Sequence, residues 1–215
     1  MPSDLHPVLQ TLQKIGVIPE VALGDTKRAL PLAHALASGG LNCCEITFRT
    51  KQSADCMRLI SRELPGFCLG AGTVLTSETA EAAVAAGARF IVSPGLNPVV
   101  VKRCTELGVP ALPGCVTATE VQAAMQLGLR AVKFFPAKNH GGLAGIQALA
   151  APFPDMLFVP TDGVDMENLA EYLRHKNVLA AGGGFMAPPA LIEKGDFAAI
   201  SKLAARAADI SLSRQ

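Results

Sequence analysis

Short apolar runs alternate along the chain with longer segments in which apolar residues recur every three or four positions. Runs of the first kind begin near Val17 (VIPEVAL), Cys43 (CCEITFR), Cys68 (CLGAGTV), Arg89 (RFIVSPG), Pro110 (PALPGCV), Ala131 (AVKFFPA), Met156 (MLFVPTDG) and Val178 (VLAAGGGF), at intervals of 21 to 26 residues. Each has the length and apolar density of a buried strand. Between them, segments such as TKRALPLAHALAS, SADCMRLISREL, SETAEAAVAAG, NPVVVKRCTELG and TATEVQAAMQLG carry helical periodicity, with Ser, Thr, Asp or Asn near most starts. Several stop at a glycine, namely Gly39, Gly87, Gly108 and Gly128. A strand followed by a helix eight times over, without a linker, predicts an α/β protein with a parallel sheet, and eight units predict closure into a single-domain (β/α)8 TIM barrel over residues 1–215. An N-terminal helix (LHPVLQTLQKIG) and a helical tail from Pro188 stand outside the eight units. The alternative, an open doubly wound sheet, would normally carry GxGxxG after its first strand, and VIPEVALGDTK has none.

Composition narrows the partners. The net charge is +1, from 19 basic and 18 acidic side chains, with no basic cluster interleaved with aromatics, which argues against nucleic acid or an anionic membrane. The six cysteines form no CxxC pair and the four histidines are scattered, so neither a metal site nor a disulfide framework is expected. MPSDLHPVLQ lacks the apolar stretch of a signal peptide and no 18-residue apolar run follows, so a cytoplasmic protein is expected.

The strand ends carry the candidate chemistry. Burying the ammonium of Lys133 within AVKFFPA costs several kcal/mol unless it is paired or deprotonated. Strand periodicity puts Cys43, Glu45, Thr47 and Arg49 on one face of the second strand, and Ala131, Lys133 and Phe135 on one face of the sixth. A lysine, a glutamate and an arginine thus point toward the barrel axis. One reading is a structural ion pair. The other is a reactive amine, its pKa lowered by a low-dielectric site and by Arg49, poised to attack a carbonyl. Lys138 reads as a solvated surface charge. Thr73 ends GAGT, whose glycines let the backbone approach a ligand, and SPG at 93–95 offers backbone amides. PTDG at 160–163 and AGGG at 181–184 end the seventh and eighth strands, where barrel enzymes frequently bind phosphate.

The ordered set EITFRT (45–50), GAGTVL (70–75), SPGLNP (93–98), LPG (112–114), VKFFPA (132–137), APFP (151–154) and PTDGV (160–164) closely resembles the bacterial 2-keto-3-deoxy-6-phosphogluconate (KDPG) aldolases, a family that includes 4-hydroxy-2-oxoglutarate (KHG) aldolases. The resemblance runs from about Val17 to Lys202. It implies a homotrimeric, metal-free and cofactor-free class I lyase that works on a small 2-keto acid through a Schiff base. By this resemblance Lys133 is the Schiff-base lysine and Glu45 the acid/base residue. Arg49 and Thr73 hold the pyruvate carboxylate, helped by backbone near Pro94, while Phe135 and Thr161 line the pocket.

The phosphate end departs from the family. Asp162 replaces a glycine that contacts phosphate in relatives, Gly184 replaces a hydroxyl donor and Phe185 replaces a tryptophan, while Gly163 and Gly183 remain as backbone donors. Either the Asp162 carboxylate repels a phosphate, or it turns outward near the start of the helix containing Asp165 and Glu167. Glu20, an acid inside the first strand, either lines the barrel near the site or faces its outer rim, and receives no role. The expected reaction is cleavage of KDPG to pyruvate and glyceraldehyde 3-phosphate. The alternatives are an unphosphorylated substrate, 4-hydroxy-2-oxoglutarate or oxaloacetate, and, more remotely, a non-catalytic anion-binding barrel or a phosphate-binding isomerase.

Overall fold

The computed structural model of the protein describes residues 5–213; residues 1–4 of the N-terminal stretch read above for a leader lie outside the described residues. A helix, α1 (Pro7–Ile15), precedes a regular alternation: β1 (Val17–Val21), α2 (Ala29–Ser38), β2 (Cys43–Thr47), α3 (Ser53–Glu63), β3 (Cys68–Gly72), α4 (Ser77–Ala85), β4 (Phe90–Ser93) and α5 (Pro98–Glu106). It continues with β5 (Ala111–Pro113), α6 (Ala118–Gln126), β6 (Ala131–Phe134), α7 (Gly142–Ala150), β7 (Leu157–Pro160), α8 (Leu169–Arg174), β8 (Ala181–Gly183), α9 (Pro189–Lys194) and α10 (Phe197–Leu212).

The expected strands fall in two sheets rather than one. Six form a curled parallel sheet in the order β5-β4-β3-β2-β1-β8, and β6 pairs with β7. Isolated parallel bridges connect the two, Gly114 with Lys133 on one side and Phe158 with Val178 and Thr161 with Gly182 on the other. The ladder thins at these seams for local reasons. Pro113 at the end of β5 has no N–H to donate, and the run entering β8 is glycine-rich and pairs over only three residues with β1.

Two apolar layers result from the strand period. Val132, Phe134, Ile46 and Leu69 pack outward against the helices, with Phe134 and Phe158 edge to face at 6.3 Å. Ile18, Cys43, Phe90, Leu112, Ala131 and Val159 pack inward with Val8, Leu9 and Leu12 of α1, which covers the N-terminal ends of the strands. Burying each of those three α1 side chains stabilises the fold by about 1.5–3 kcal/mol. With that end filled, the polar inward positions lie toward the C-terminal ends. All six cysteines are buried and free.

Helix starts follow the chain's capping residues. Thr76, Asn97 and Asp196 accept backbone N–H bonds at the starts of α4, α5 and α10, and Thr117 forms a reciprocal capping box with Glu120 at α6. The segment TKRALPLAHALAS begins instead as a 3-10 turn over Thr26–Arg28, capped by Asp25, before α2. Among the described residues no helix is long and apolar enough to cross a membrane.

Candidate active site

The lysine inside the apolar strand faces a polar floor. Alternation along β6 sends Val132 and Phe134 outward, and Ala131 and Lys133 inward. The inward positions two residues beyond the apolar layer are Glu20 after Ile18, Glu45 after Cys43, Lys133 after Ala131 and Thr161 after Val159. Glu20 and Glu45 are direct partners in the β1–β2 register. Lys133 Nζ donates a hydrogen bond to Glu20 Oε2 at 3.3 Å and lies 3.5 Å from Glu45 Oε1 and 5.1 Å from the centroid of the Phe135 ring. Lys133 is 6 % exposed and Glu45 5 %.

This floor holds two carboxylates for one ammonium, and the buried one responds. The Glu45 carboxyl is pushed up to about 7, chiefly by burial, with the Glu20 charge adding to the rise and the charges of Lys133 and Arg49 opposing it. Glu45 Oε1 has no hydrogen-bond partner among the described residues, and neither does the buried Thr47 Oγ1. Both are inward groups of β2 with hydrogen-bonding capacity left for a ligand.

Glycines in the floor make room for protein groups. A Cβ on Gly72 would lie 2.0 Å from Glu45 Oε1, and one on Gly70 would lie 2.1 Å from the Phe90 ring. GAGT therefore makes room for protein side chains, one of them the candidate acid/base. Gly114 does the same for the Pro94 carbonyl, which would stand 2.0 Å from its Cβ, and Gly114 is the bridge partner of Lys133. Pro94 is thus tied to the lysine through β5.

Arg49 and Thr73 meet at the rim. Arg49 Nε donates to Thr73 Oγ1 at 3.2 Å, and Thr73 adopts φ 57°, a left-handed conformation that costs a threonine about 1–2 kcal/mol. The strain turns the end of β3 so that the hydroxyl lies beside the guanidinium. Thr161 is buried, with Gly182 opposite it so close that a Cβ there would sit 2.7 Å from its hydroxyl.

The last strand ends are open. Asp162 is exposed at φ 72°, followed by Gly163 at φ 84°, and the Asp162 carboxylate makes no hydrogen bond or ion pair among the described residues. The idea that it serves the next helix is corrected by Asp165, whose Oδ1 accepts from the N–H groups of Glu167 and Asn168. Gly184 is exposed, Gly183 is buried against Phe185, and Lys138 is exposed, as its sequence context suggested. The alternative that Glu20 faces the outer rim is also corrected. Its position two residues past an inward isoleucine carries that information, and the pairing across β1–β2 completes it. Among the described residues no group of three or more His, Cys, Asp or Glu is arranged to hold a metal ion.

A family model described as KDPG and KHG aldolase matches residues 8–203. The chain belongs to this aldolase family. It is 48 % identical over 196 residues to the 2-dehydro-3-deoxy-phosphogluconate aldolase of Treponema pallidum, covering 91 % of this chain and 93 % of that one. Among solved structures, the KDPG aldolase of Legionella pneumophila, with pyruvate captured as a covalent carbinolamine, superposes with a TM-score of 0.88 at 33 % identity, covering 92 % of this chain and 96 % of that one. The KDPG aldolase of Zymomonas mobilis with 3-phosphoglycerate gives a TM-score of 0.88 at 35 % identity, covering 95 % and 96 %. The described site therefore sits in a chain of the KDPG and KHG aldolase family.

Proposed function

We propose that the protein is a class I pyruvate aldolase that cleaves KDPG to pyruvate and glyceraldehyde 3-phosphate. The observation that carries this is the buried Lys133 amine held between carboxylates at 3.3 and 3.5 Å on the floor of the strands. A structural ion pair is a poor account of it, because hydrocarbon of equal volume serves stability as well. The relatives' names and the carbinolamine in the Legionella neighbour support the same chemistry.

In this mechanism the Lys133 ammonium gives up one proton and attacks C2 of the keto acid as the amine; two nitrogen protons in all pass to the ketone oxygen, which leaves as water to give an iminium. The iminium is the electron sink for the C3–C4 bond. Glu45 takes the proton of the C4 hydroxyl as that bond breaks and the aldehyde departs, leaving an enamine. It then returns the proton to C3, and hydrolysis frees pyruvate and Lys133. A carboxyl near pH 7 suits both directions of that transfer. Arg49 and Thr73 grip the substrate carboxylate, with Pro94 backbone beside them, so that C2 faces Nζ, while Phe135 and Thr161 line the chain of the substrate. Gly163, Gly183 and Gly184 supply backbone amides to the phosphate. The bridged sheets act as one closed (β/α)8 domain, and the chain works as a cytoplasmic homotrimer.

A second reading, an unphosphorylated substrate such as 4-hydroxy-2-oxoglutarate or oxaloacetate, is favoured by one observation, the unpaired Asp162 carboxylate at the strand end. The 3-phosphoglycerate in the Zymomonas neighbour weighs for the phosphorylated substrate. Two measurements test the proposal. Borohydride reduction in the presence of pyruvate is expected to leave one adduct, mapped to Lys133, and its absence ends the aldolase reading. The ratio of kcat/KM for KDPG and for 4-hydroxy-2-oxoglutarate then decides between the substrates.

A further inference from the structure

Glu20 takes no part in the steps above, yet it accepts a hydrogen bond that Lys133 Nζ donates, at 3.3 Å, and Glu45 stands 3.5 Å away. The two carboxylates differ in setting. The Glu20 side chain is 21 % exposed against 6 % for that of Glu45, so Glu20 lies on the more open side of the amine. Its strand is the neighbour of β8, and its carbonyl faces Gly184 at the open strand end.

We propose that Glu20 is a second catalytic carboxylate of this chain, serving the making and breaking of the imine, while Glu45 serves the carbon–carbon step. The inference rests on the reading of Lys133 as the nucleophile. When an ammonium and a ketone become an iminium and water, nitrogen loses two protons and the ketone oxygen gains two, with no net change. A group that touches nitrogen and opens toward the substrate can carry both. Glu20 first takes a proton from Nζ. The freed lone pair bonds to C2, the C2–O π pair moves onto oxygen, and Glu20 hands its proton there to form the hydroxyl. Glu20 then takes the second nitrogen proton and delivers it to that hydroxyl. The C2–O bond breaks, water leaves, and the nitrogen lone pair closes the C=N bond. Glu20 ends as it began, a carboxylate, and Glu45 has spent nothing before the C4 hydroxyl must be deprotonated. Glu45 is faced by Lys133 from β6, Glu20 from β1 and Arg49 beyond β2, and Glu20 is the one of these that favours its protonated form.

The test separates the two steps. Time-resolved borohydride trapping with pyruvate, read by intact mass, measures imine formation. Deuterium exchange at C3 of pyruvate, normalised to trapped imine, measures proton transfer by Glu45. Glu20→Gln is expected to slow trapping at least about 100-fold, the low side of general acid–base effects, while exchange per imine stays within about threefold of the unsubstituted protein. Glu20→Asp is expected to recover part of the trapping rate. Trapping at the unsubstituted rate overturns the inference, as does an equal fall in trapping and in exchange per imine, which marks a positioning role through Glu45. If Glu20→Gln does not fold, Glu20→Val, which suits a strand, carries the same comparison. Failure of both to fold assigns Glu20 to structure and also overturns it. An unsubstituted protein that traps no pyruvate removes the aldolase reading instead, so the two failures are distinct.

Discussion

Replacing Gly72 by alanine perturbs the site without touching a polar group. The added methyl would lie 2.0 Å from Glu45 Oε1, 2.7 Å from its Cδ and 2.8 Å from its Cγ. Rotation about the last torsion relieves none of the Cγ contact, so the whole side chain changes rotamer or β3 moves. To regain ordinary contact at 3.4 Å the carboxylate oxygen retreats by about 1.4 Å within a close-packed interior. Misplacing a reacting group by ~1 Å costs about 100-fold, equivalent to about 2.7 kcal/mol of barrier. Overpacking costs a further ~1–3 kcal/mol of stability. Gly72→Ala is therefore expected to lower kcat/KM for cleavage about 100-fold in a lactate dehydrogenase-coupled assay, while Lys133 still traps pyruvate. Gly66→Ala, with nothing within 4 Å of its Cβ, is the neutral control. A folded Gly72→Ala protein with kcat/KM near the unsubstituted value would refute the account of Glu45 and of the space beside it.

Lys133→Met is expected to abolish trapping and cleavage and to strand the two carboxylates it served, at about 3–5 kcal/mol for a broken buried pair. Melting temperatures should fall further as pH rises, since the stranded carboxyls then ionise; a loss equal at all pH values would contradict this. Cleavage is expected to rise with pH through about 7 as Glu45 becomes the base, and Glu45→Gln should remove that limb along with most of the activity. The same raised carboxyl binds its proton more tightly folded than unfolded, so its contribution to stability declines as pH rises from about 4.5 to about 7. Urea titrations across that window should show a flatter pH dependence in Glu45→Gln. Asp162→Gly removes a charge and a left-handed non-glycine residue, so it should stabilise the fold by ~1 kcal/mol and raise kcat/KM for KDPG several-fold, with little change for 4-hydroxy-2-oxoglutarate. An unchanged substrate ratio would show that Asp162 does not face the phosphate.

Most of the architecture was legible because it rests on periodicity. The strand starts, the helical segments and the capping residues Asn97 and Thr117 are local features, whereas the cap of α4 is Thr76, one residue before the segment SETAEAAVAAG. The division into a six-stranded and a two-stranded sheet was not, because it depends on hydrogen bonds across seams. Pro113 was visible in LPG, but its consequence is a missing donor toward a strand 18 residues later. The brevity of β8 has the same character: AGGG reads as a strand end for phosphate, and its poor pairing shows only beside β1 and β7.

The site divides along the same line. Strand parity alone aligned Lys133 with Glu45 and Arg49, and the family resemblance supplied the carboxylate-binding role of Arg49 and Thr73, whose contact needs the left-handed turn at Thr73. The glycines alone were ambiguous, since a glycine can make way for a ligand or for a neighbour. Only the register that sets Gly72 next to Glu45 tells which. Glu20 was left undecided for a different reason. Parity places it inward as firmly as Glu45, but a strand of five residues interrupted by Pro19 gives no guide to twist. An acid beside another acid is also an unfavourable arrangement unless a cation joins them. That cation is Lys133, and with it the arrangement becomes informative. Two carboxylates around one ammonium leave an excess negative charge in a poorly solvated place, and the cheapest response is for the more buried acid to hold a proton near neutrality. A fold selected only for stability has no use for that excess; a site that must move protons on both nitrogen and carbon does.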